Sequence, residues 1–131
     1  MLNNEVFIKF TIQNFNKSHS EITRYLKINP SKTWSKGDNK IKEGTIKYKS
    51  NGWEIGIERK NVLHIDALLD EIITILLPIK NQLTNLDKCS KKISIIVYAK
   101  KIMPSFVFNK EIISFLNNAS IELEQDIYCL S

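Results

Sequence analysis

Two alternating runs separated by an Asn-Gly pair constrain this chain more than any other feature. Thr45, Lys47 and Lys49 alternate with Ile46 and Tyr48, and Ser50-Asn51-Gly52 follows. Trp53, Ile55 and Ile57 then alternate with Glu54, Gly56 and Glu58. This pattern predicts a β-hairpin from Gly44 to Arg59, because a two-residue type I′ turn needs positive φ at both central residues, which Asn-Gly tolerates. Each predicted strand has one apolar and one charged face, so the hairpin belongs to a sheet covered on one side only.

The rest of the chain supplies more sheet and its cover. Glu5 to Gln13 alternates Val6, Ile8, Phe10 and Ile12 against Glu5, Lys9 and Thr11, which predicts a half-buried strand with Phe7 on the outer face. Ser18 followed by Glu21 reads as a capping box that opens a short helix bearing Ile22, Tyr25 and Leu26, and Asn29-Pro30 stops it. Residues 31–43 keep no periodicity, and a loop of that length is partly structured or functional. From Val62 to Lys88 apolar residues recur at helical spacing, with Pro78 placed to kink or divide the helix. Ile72 to Ile79 is apolar nearly all round, which predicts extra cover from another segment or a second subunit. Ile93 to Lys100 is largely apolar on both faces and reads as a central strand. Pro104 to Phe108 is a short edge strand or extended loop, Asn109 caps a helix bearing Ile112, Phe115 and Leu116, and Ser120 to Leu130 forms the last strand.

The resulting order, β-α-β-β-α-β-α-β, predicts an α+β fold. Its antiparallel or mixed sheet carries helices on one face and is related to ferredoxin-like folds. An offset of 90 aligns Glu21–Leu26 with Glu111–Leu116, and Val6-Phe7-Ile8 with Ile96-Val97-Tyr98. Two strand-helix units account for this match; chance similarity of short amphipathic helices is the alternative.

The 131 residues fit one domain, 1–131, large enough to bury a core without staples. Cys89 and Cys129 stand far apart with no metal-ligand spacing, so reduced thiols and a cytoplasmic location are expected. The first residues carry no basic region ahead of an apolar run, and no window is apolar enough to span a membrane. The net charge of +5 points to nucleic acid only where it gathers on one face.

Alternation alone lists the uncovered face of the predicted sheet. It holds Glu5, Phe7, Lys9, Thr11, Thr45, Lys47, Lys49, Glu54, Gly56, Glu58, Ser94, Ile96, Tyr98, Lys100, Glu122, Glu124 and Asp126. Carboxylates outnumber lysines there, so a basic protein offers a slightly acidic sheet. An RNA-binding sheet would set aromatic platforms among cations, and Phe7 with Tyr98, Lys9, Lys47 and Lys49 is the nearest approach to one. The carboxylates oppose it. The same face suits a basic protein partner, with Glu122, Glu124, Asp126, Tyr98, Glu54 and Glu58 as the expected contacts.

Catalytic chemistry has little to stand on. His19 lies in the capping box and His64 at the start of the long helix, neither with a base, nucleophile or ligand set at working spacing. Four glycines cannot assemble a phosphate loop. No enzyme activity, cofactor or metal is expected.

Asn29-Pro30-Ser31-Lys32-Thr33-Trp34-Ser35-Lys36-Gly37-Asp38, followed by Asn51-Gly52-Trp53, resembles the signature of a small bacterial family of unknown function. In that pattern Pro-Thr-Lys-Thr-Trp leads into Lys-Gly-Asp and then Asn-Gly-Trp; Ser31 replaces the usual Thr. Some proteins of this kind resemble immunity proteins of contact-dependent growth inhibition or polymorphic toxin systems. The resemblance implies a cytoplasmic inhibitor bound to a cognate toxin such as a nuclease domain; a monomer is expected, or a weak dimer through the surplus apolar surface near Pro78. It supplies no catalytic residues. Trp34, Lys36, Asp38 and Trp53 are expected either to pack and turn the chain at one end of the sheet or to form a small-ligand site.

Overall fold

A computed structural model describes residues 3–101 and 103–130. The first two residues of the N-terminal stretch read for a leader lie outside the described residues. Five strands form one mixed sheet: β1 (Asn4–Gln13), β2 (Lys32–Trp34), β3 (Gly52–Lys60), β4 (Ser90–Ala99) and β5 (Ile121–Cys129). Their spatial order is β2-β3-β1-β4-β5. Strand β1 is central and antiparallel to both neighbours, β2 is antiparallel to β3, and β4 runs parallel to β5. The helices are α1 (His19–Leu26), α2 (Ile65–Leu76), α3 (Lys80–Asn85) and α4 (Lys110–Asn118), with a 3-10 turn at Leu77–Ile79. The architecture is α+β with a mixed sheet, as expected from the sequence, but its second strand is Lys32–Trp34 and not the expected arm at residues 45–49.

One face of the sheet is covered. Val6, Ile8, Phe10 and Ile12 of β1 and Ile93, Ile95 and Val97 of β4 are fully buried, while their neighbours in sequence turn the other way. The helices tie to this covered face through named contacts. The Trp53 indole N–H of β3 donates to the Thr23 hydroxyl of α1 at 3.0 Å, and Arg59 meets Glu71 of α2 at 3.3 Å. Asn4 fastens the linker between β3 and α2, since its amide donates to the Val62 carbonyl at 2.7 Å and accepts from the Val62 N–H at 2.8 Å.

Local signals set the helix ends. Ser18 and Glu21 form the reciprocal capping box, and Asn109 accepts from the Ile112 N–H at 2.9 Å to start α4. The Ser18 hydrogen bonds hold the Glu21 carboxyl below the usual range, because they favour the charged form. Pro78 falls in the 3-10 turn and divides the long apolar segment into α2 and α3, as a residue without an N–H does in a helix interior. The extra cover expected around this break is not provided by the described residues. Ile75 and Leu77 remain exposed, at 37% and 50%.

The predicted hairpin is corrected. Strand β3 forms, but its antiparallel partner on that side is β2, with Trp34 opposite Gly52 and Lys32 opposite Glu54. Thr45 to Lys49 folds instead onto residues 37–40: Lys40 N–H donates to the Ile46 carbonyl, and Tyr48 N–H to that of Asp38, each at 2.9 Å. Asn51 and Gly52 do not adopt positive φ; Gly37 does, at 93°, in the turn from Ser35 to Asp38. Gly52 is required for space, because a Cβ there would overlap the Trp34 indole lying across it.

The 90-residue offset also loses its strand component. Val6 and Ile8 face the core, whereas Ile96 and Tyr98, their counterparts, face away from it. The aligned helices keep their apolar phase, with Ile22 and Ile112, and Leu26 and Leu116, all buried.

One buried cation lies under the sheet. Lys91, only 5% exposed, reaches from β4 to cap α3, its ammonium donating to the Leu83 carbonyl at 2.6 Å. Burial pushes its pKa down from 10.5, and burial likewise raises that of Cys89 nearby. A folded state that binds this proton less tightly than the unfolded chain gains stability as pH rises. Relative to Lys91→Met, the native chain should therefore gain stability as pH rises toward 10.5, a trend read by urea titration at successive pH values. A constant difference would contradict that origin.

Candidate functional site

The uncovered face is built in rows by the strand register. From the β2 edge to the β5 edge, one row runs Lys32, Glu54, Thr11, Lys92, Glu122. The next runs Gly56, Lys9, Ser94, Glu124, followed by Glu58, Phe7, Ile96, Asp126 and then Lys60, Glu5, Tyr98, Tyr128. The six expected contact residues, Glu122, Glu124, Asp126, Tyr98, Glu54 and Glu58, thus lie on one face. They are not one cluster. Glu122, Glu124 and Asp126 follow one another along β5 with Tyr98 beside them on β4, while Glu54 and Glu58 lie beyond β1 on β3.

The strand ladders hold six carboxylates, Glu5, Glu54, Glu58, Glu122, Glu124 and Asp126, against four lysines, Lys9, Lys32, Lys60 and Lys92. Lys47 and Lys49, expected here, belong instead to the 37–49 excursion; Lys100 lies just past β4. Lys92, Lys32, Lys60 and Tyr128 are the residues that sequence reasoning missed, Lys60 lying one residue past the predicted hairpin. Lys92 precedes the predicted strand, a three-residue β2 carries no periodic signal, and Tyr128 was legible as the next step of the alternation Glu122, Glu124, Asp126.

The acidic end of the face has an aromatic floor. Tyr98 stacks on Tyr128 with ring centres 5.0 Å apart and meets Phe7 edge-on at 6.0 Å, beside half-buried Ile96. Lys92 pairs with Glu124 at 3.3 Å, and Thr11 donates to Glu54 at 3.0 Å. An exposed pair such as Lys92–Glu124 contributes about 0–1 kcal/mol, too little to neutralise the row. Among the described residues, no other ion pair involves the β5 carboxylates.

The opposite edge is basic. Trp34 is sandwiched between Gly52 and Tyr48, whose ring stacks on the indole at 4.6 Å, and the Lys32 ammonium lies over both rings at 5.6 and 5.7 Å. Lys32, Lys36, Lys40, Lys42, Lys47 and Lys49 occupy residues 32–49 with only Asp38 and Glu43 among them. Asp38 closes the Ser35 turn by accepting from the Ser35 N–H at 2.8 Å, and the Lys36 N–H donates to the Asn51 side chain, also at 2.8 Å. Trp53 does not join this group. Thr33, not Trp34, pairs with Trp53, so the two indoles lie on opposite faces and one small ligand cannot touch both.

The histidines serve the fold. His19 Nε2 is hydrogen-bonded to the Trp34 carbonyl at 2.7 Å, and His64 Nδ1 to the Ser105 hydroxyl at 2.7 Å. Among the described residues no group of three His, Cys, Asp or Glu side chains is placed to hold a metal ion, and no helix is long and apolar enough to cross a membrane. A surface hollow of about 430 Å³ between α1 and the end of α3 mixes Lys17 and Arg24 with Glu21 and Asp87, which selects no one ligand charge.

Comparison with known proteins adds the family. The chain belongs to DUF4279, a domain of unknown function, whose family model matches residues 4–130. No curated protein and no solved structure matches the chain significantly.

Proposed function

We propose that this DUF4279 domain is a cytoplasmic immunity protein that binds and neutralises a bacterial toxin domain, a nuclease of a contact-dependent growth inhibition system being the best fit. The observation that carries the reading is the carboxylate row Glu122, Glu124 and Asp126 beside the Tyr98–Tyr128 stack. A nuclease holds phosphate with cations, so an acidic patch with an aromatic centre would both steer association and occlude that surface. No reaction is assigned to the chain itself, and no cofactor or metal enters the reading; it acts as a monomer or weak dimer.

The test is neutralisation. A protein captured by the tagged chain is expressed alone and together with it. The proposal expects growth arrest and nucleic-acid cleavage by the partner alone and restored growth on co-expression; a partner harmless by itself would refute it.

A second reading has its own observation. The six lysines of residues 32–49 form a basic lobe, suited to RNA phosphates rather than to a protein partner. Affinity for single-stranded RNA that falls steeply with salt and is lost in Lys40→Glu/Lys42→Glu would favour it.

A further inference from the structure

The two edges of the sheet differ in how they are closed. On the β3 edge, the Ser31 N–H donates to the Glu54 carbonyl at 2.8 Å and the Gly56 N–H donates to the Ser31 hydroxyl at 3.1 Å. Further along, the Arg59 guanidinium donates to the Glu58 carbonyl at 2.9 Å, and Glu58, Arg59 and Lys60 place charges on the strand, a common guard against edge pairing. Strand β5 has a guard of one sign only, the carboxylates Glu122, Glu124 and Asp126, which repel a like-charged strand but not a basic one. It runs nine residues without Pro, Gly or Lys, and among the described residues nothing pairs with its outer side. The Leu130 N–H donates inward to the Ala99 carbonyl at 2.7 Å. Backbone groups alternate along a strand, so the even-numbered residues face β4, and Leu123, Gln125, Ile127 and Cys129 turn their amides outward.

We infer that the β5 edge accepts an extended segment of a protein partner as a sixth strand, and that this segment carries Lys or Arg at alternate positions. The outward amides supply the ladder, and Glu122, Glu124 and Asp126, on the open face beside it, select the cations. Exposed Ile127 and Tyr128 favour an apolar residue at the end of the segment. A second copy of β5 is a poor occupant. Antiparallel self-pairing centred on Gln125 sets Glu124 against Asp126, and like charges directly opposite destabilise a ladder. This inference rests on the inhibitor reading for the identity of the partner, not for the mode of docking.

The probe is a short blocked peptide alternating Lys and Val, with its Glu-Val counterpart as control, added to the full chain. The expected result is amide exchange slowed about tenfold or more at Leu123, Gln125, Ile127 and Cys129 with the Lys peptide alone. Gln125→Pro removes one outward donor while sparing the bonds to β4, and it should weaken peptide binding about tenfold. Glu124→Lys/Asp126→Lys should weaken it similarly without altering the ladder. Equal protection by both peptides, protection confined to the 36–49 lobe, or protection that grows with protein concentration without peptide would overturn the inference. A neutralised toxin that binds Gln125→Pro unchanged would overturn strand addition and leave the inhibitor reading standing. Peptide docking with a harmless captured partner would do the reverse.

Discussion

Gly52→Ala should destabilise the chain by about 3 kcal/mol, the upper end of what an overpacked site costs. The position shows no positive φ, so the cause is not conformational freedom but the indole of Trp34 lying flat against the Gly52 backbone. A methyl group there must displace Trp34 from beneath Tyr48 and break the short β2 pairing with it. The clash has two partners, so the two changes are coupled. Trp34→Ala alone costs about 3 kcal/mol by leaving a cavity, yet adding Gly52→Ala to it should cost far less than in the native background, a coupling of about 2 kcal/mol. Urea unfolding of the four variants measures it. Additive losses would mean that Gly52 acts through its own backbone.

Trp53→Ala should cost about 4 kcal/mol, because Trp53 is the largest fully buried side chain and joins β3 to α1. Trp53→Phe keeps most of the apolar volume and loses the bond to Thr23, for a smaller loss of about 1 kcal/mol. Thr23→Val should reproduce that smaller loss, and the double variant Trp53→Phe/Thr23→Val should lose little more than either alone. Domains of this kind have total stabilities of about 5–15 kcal/mol, so Trp53→Ala could leave little folded protein at room temperature, whereas Trp53→Phe would remain folded. Equal losses in the Ala and Phe variants would show that the hydrogen bond, not the buried volume, dominates.

These two tryptophans mark where sequence reasoning stops. Each local feature was legible: the Ser18 capping box, the break at Pro78, the Asn109 cap, and the alternation in β1, β3, β4 and β5. Those signals lie within a few residues, and short-range sterics and hydrogen bonds fix them. The partner of β3 was not legible, because it was decided by Trp34, far away in sequence, lying over Gly52. The Asn-Gly pair then acted as a flat platform and an acceptor for Lys36 rather than as a two-residue turn. Displacing the predicted hairpin arm also moved Lys47 and Lys49 off the sheet and brought Lys32 and Trp34 onto it.

The six carboxylates stay on one face of the sheet for a simple reason. All six sit on strands β1, β3 and β5, whose period-2 phase is set by buried neighbours such as Val6, Ile8, Ile55 and Ile121, and one-residue slips there would expose the core. Asp126 keeps the same phase through its register with Ile96. The pairing of strands across the sheet could not be read from alternation, so the rows, and with them the separation of a basic lobe from an acidic edge, come from the register alone.

The proposed toxin would dock, as a basic protein, on the acidic β5 side of the open sheet. The native chain and Glu124→Lys/Asp126→Lys serve as parallel baits in lysate of the source organism at moderate salt, with protein read by mass spectrometry and nucleic acid by ultraviolet absorbance. A basic protein in equal proportion to the native bait, free of nucleic acid and lost from the variant, is the expected result. The same protein retained equally by both baits, or nucleic acid alone on the native bait, would contradict it.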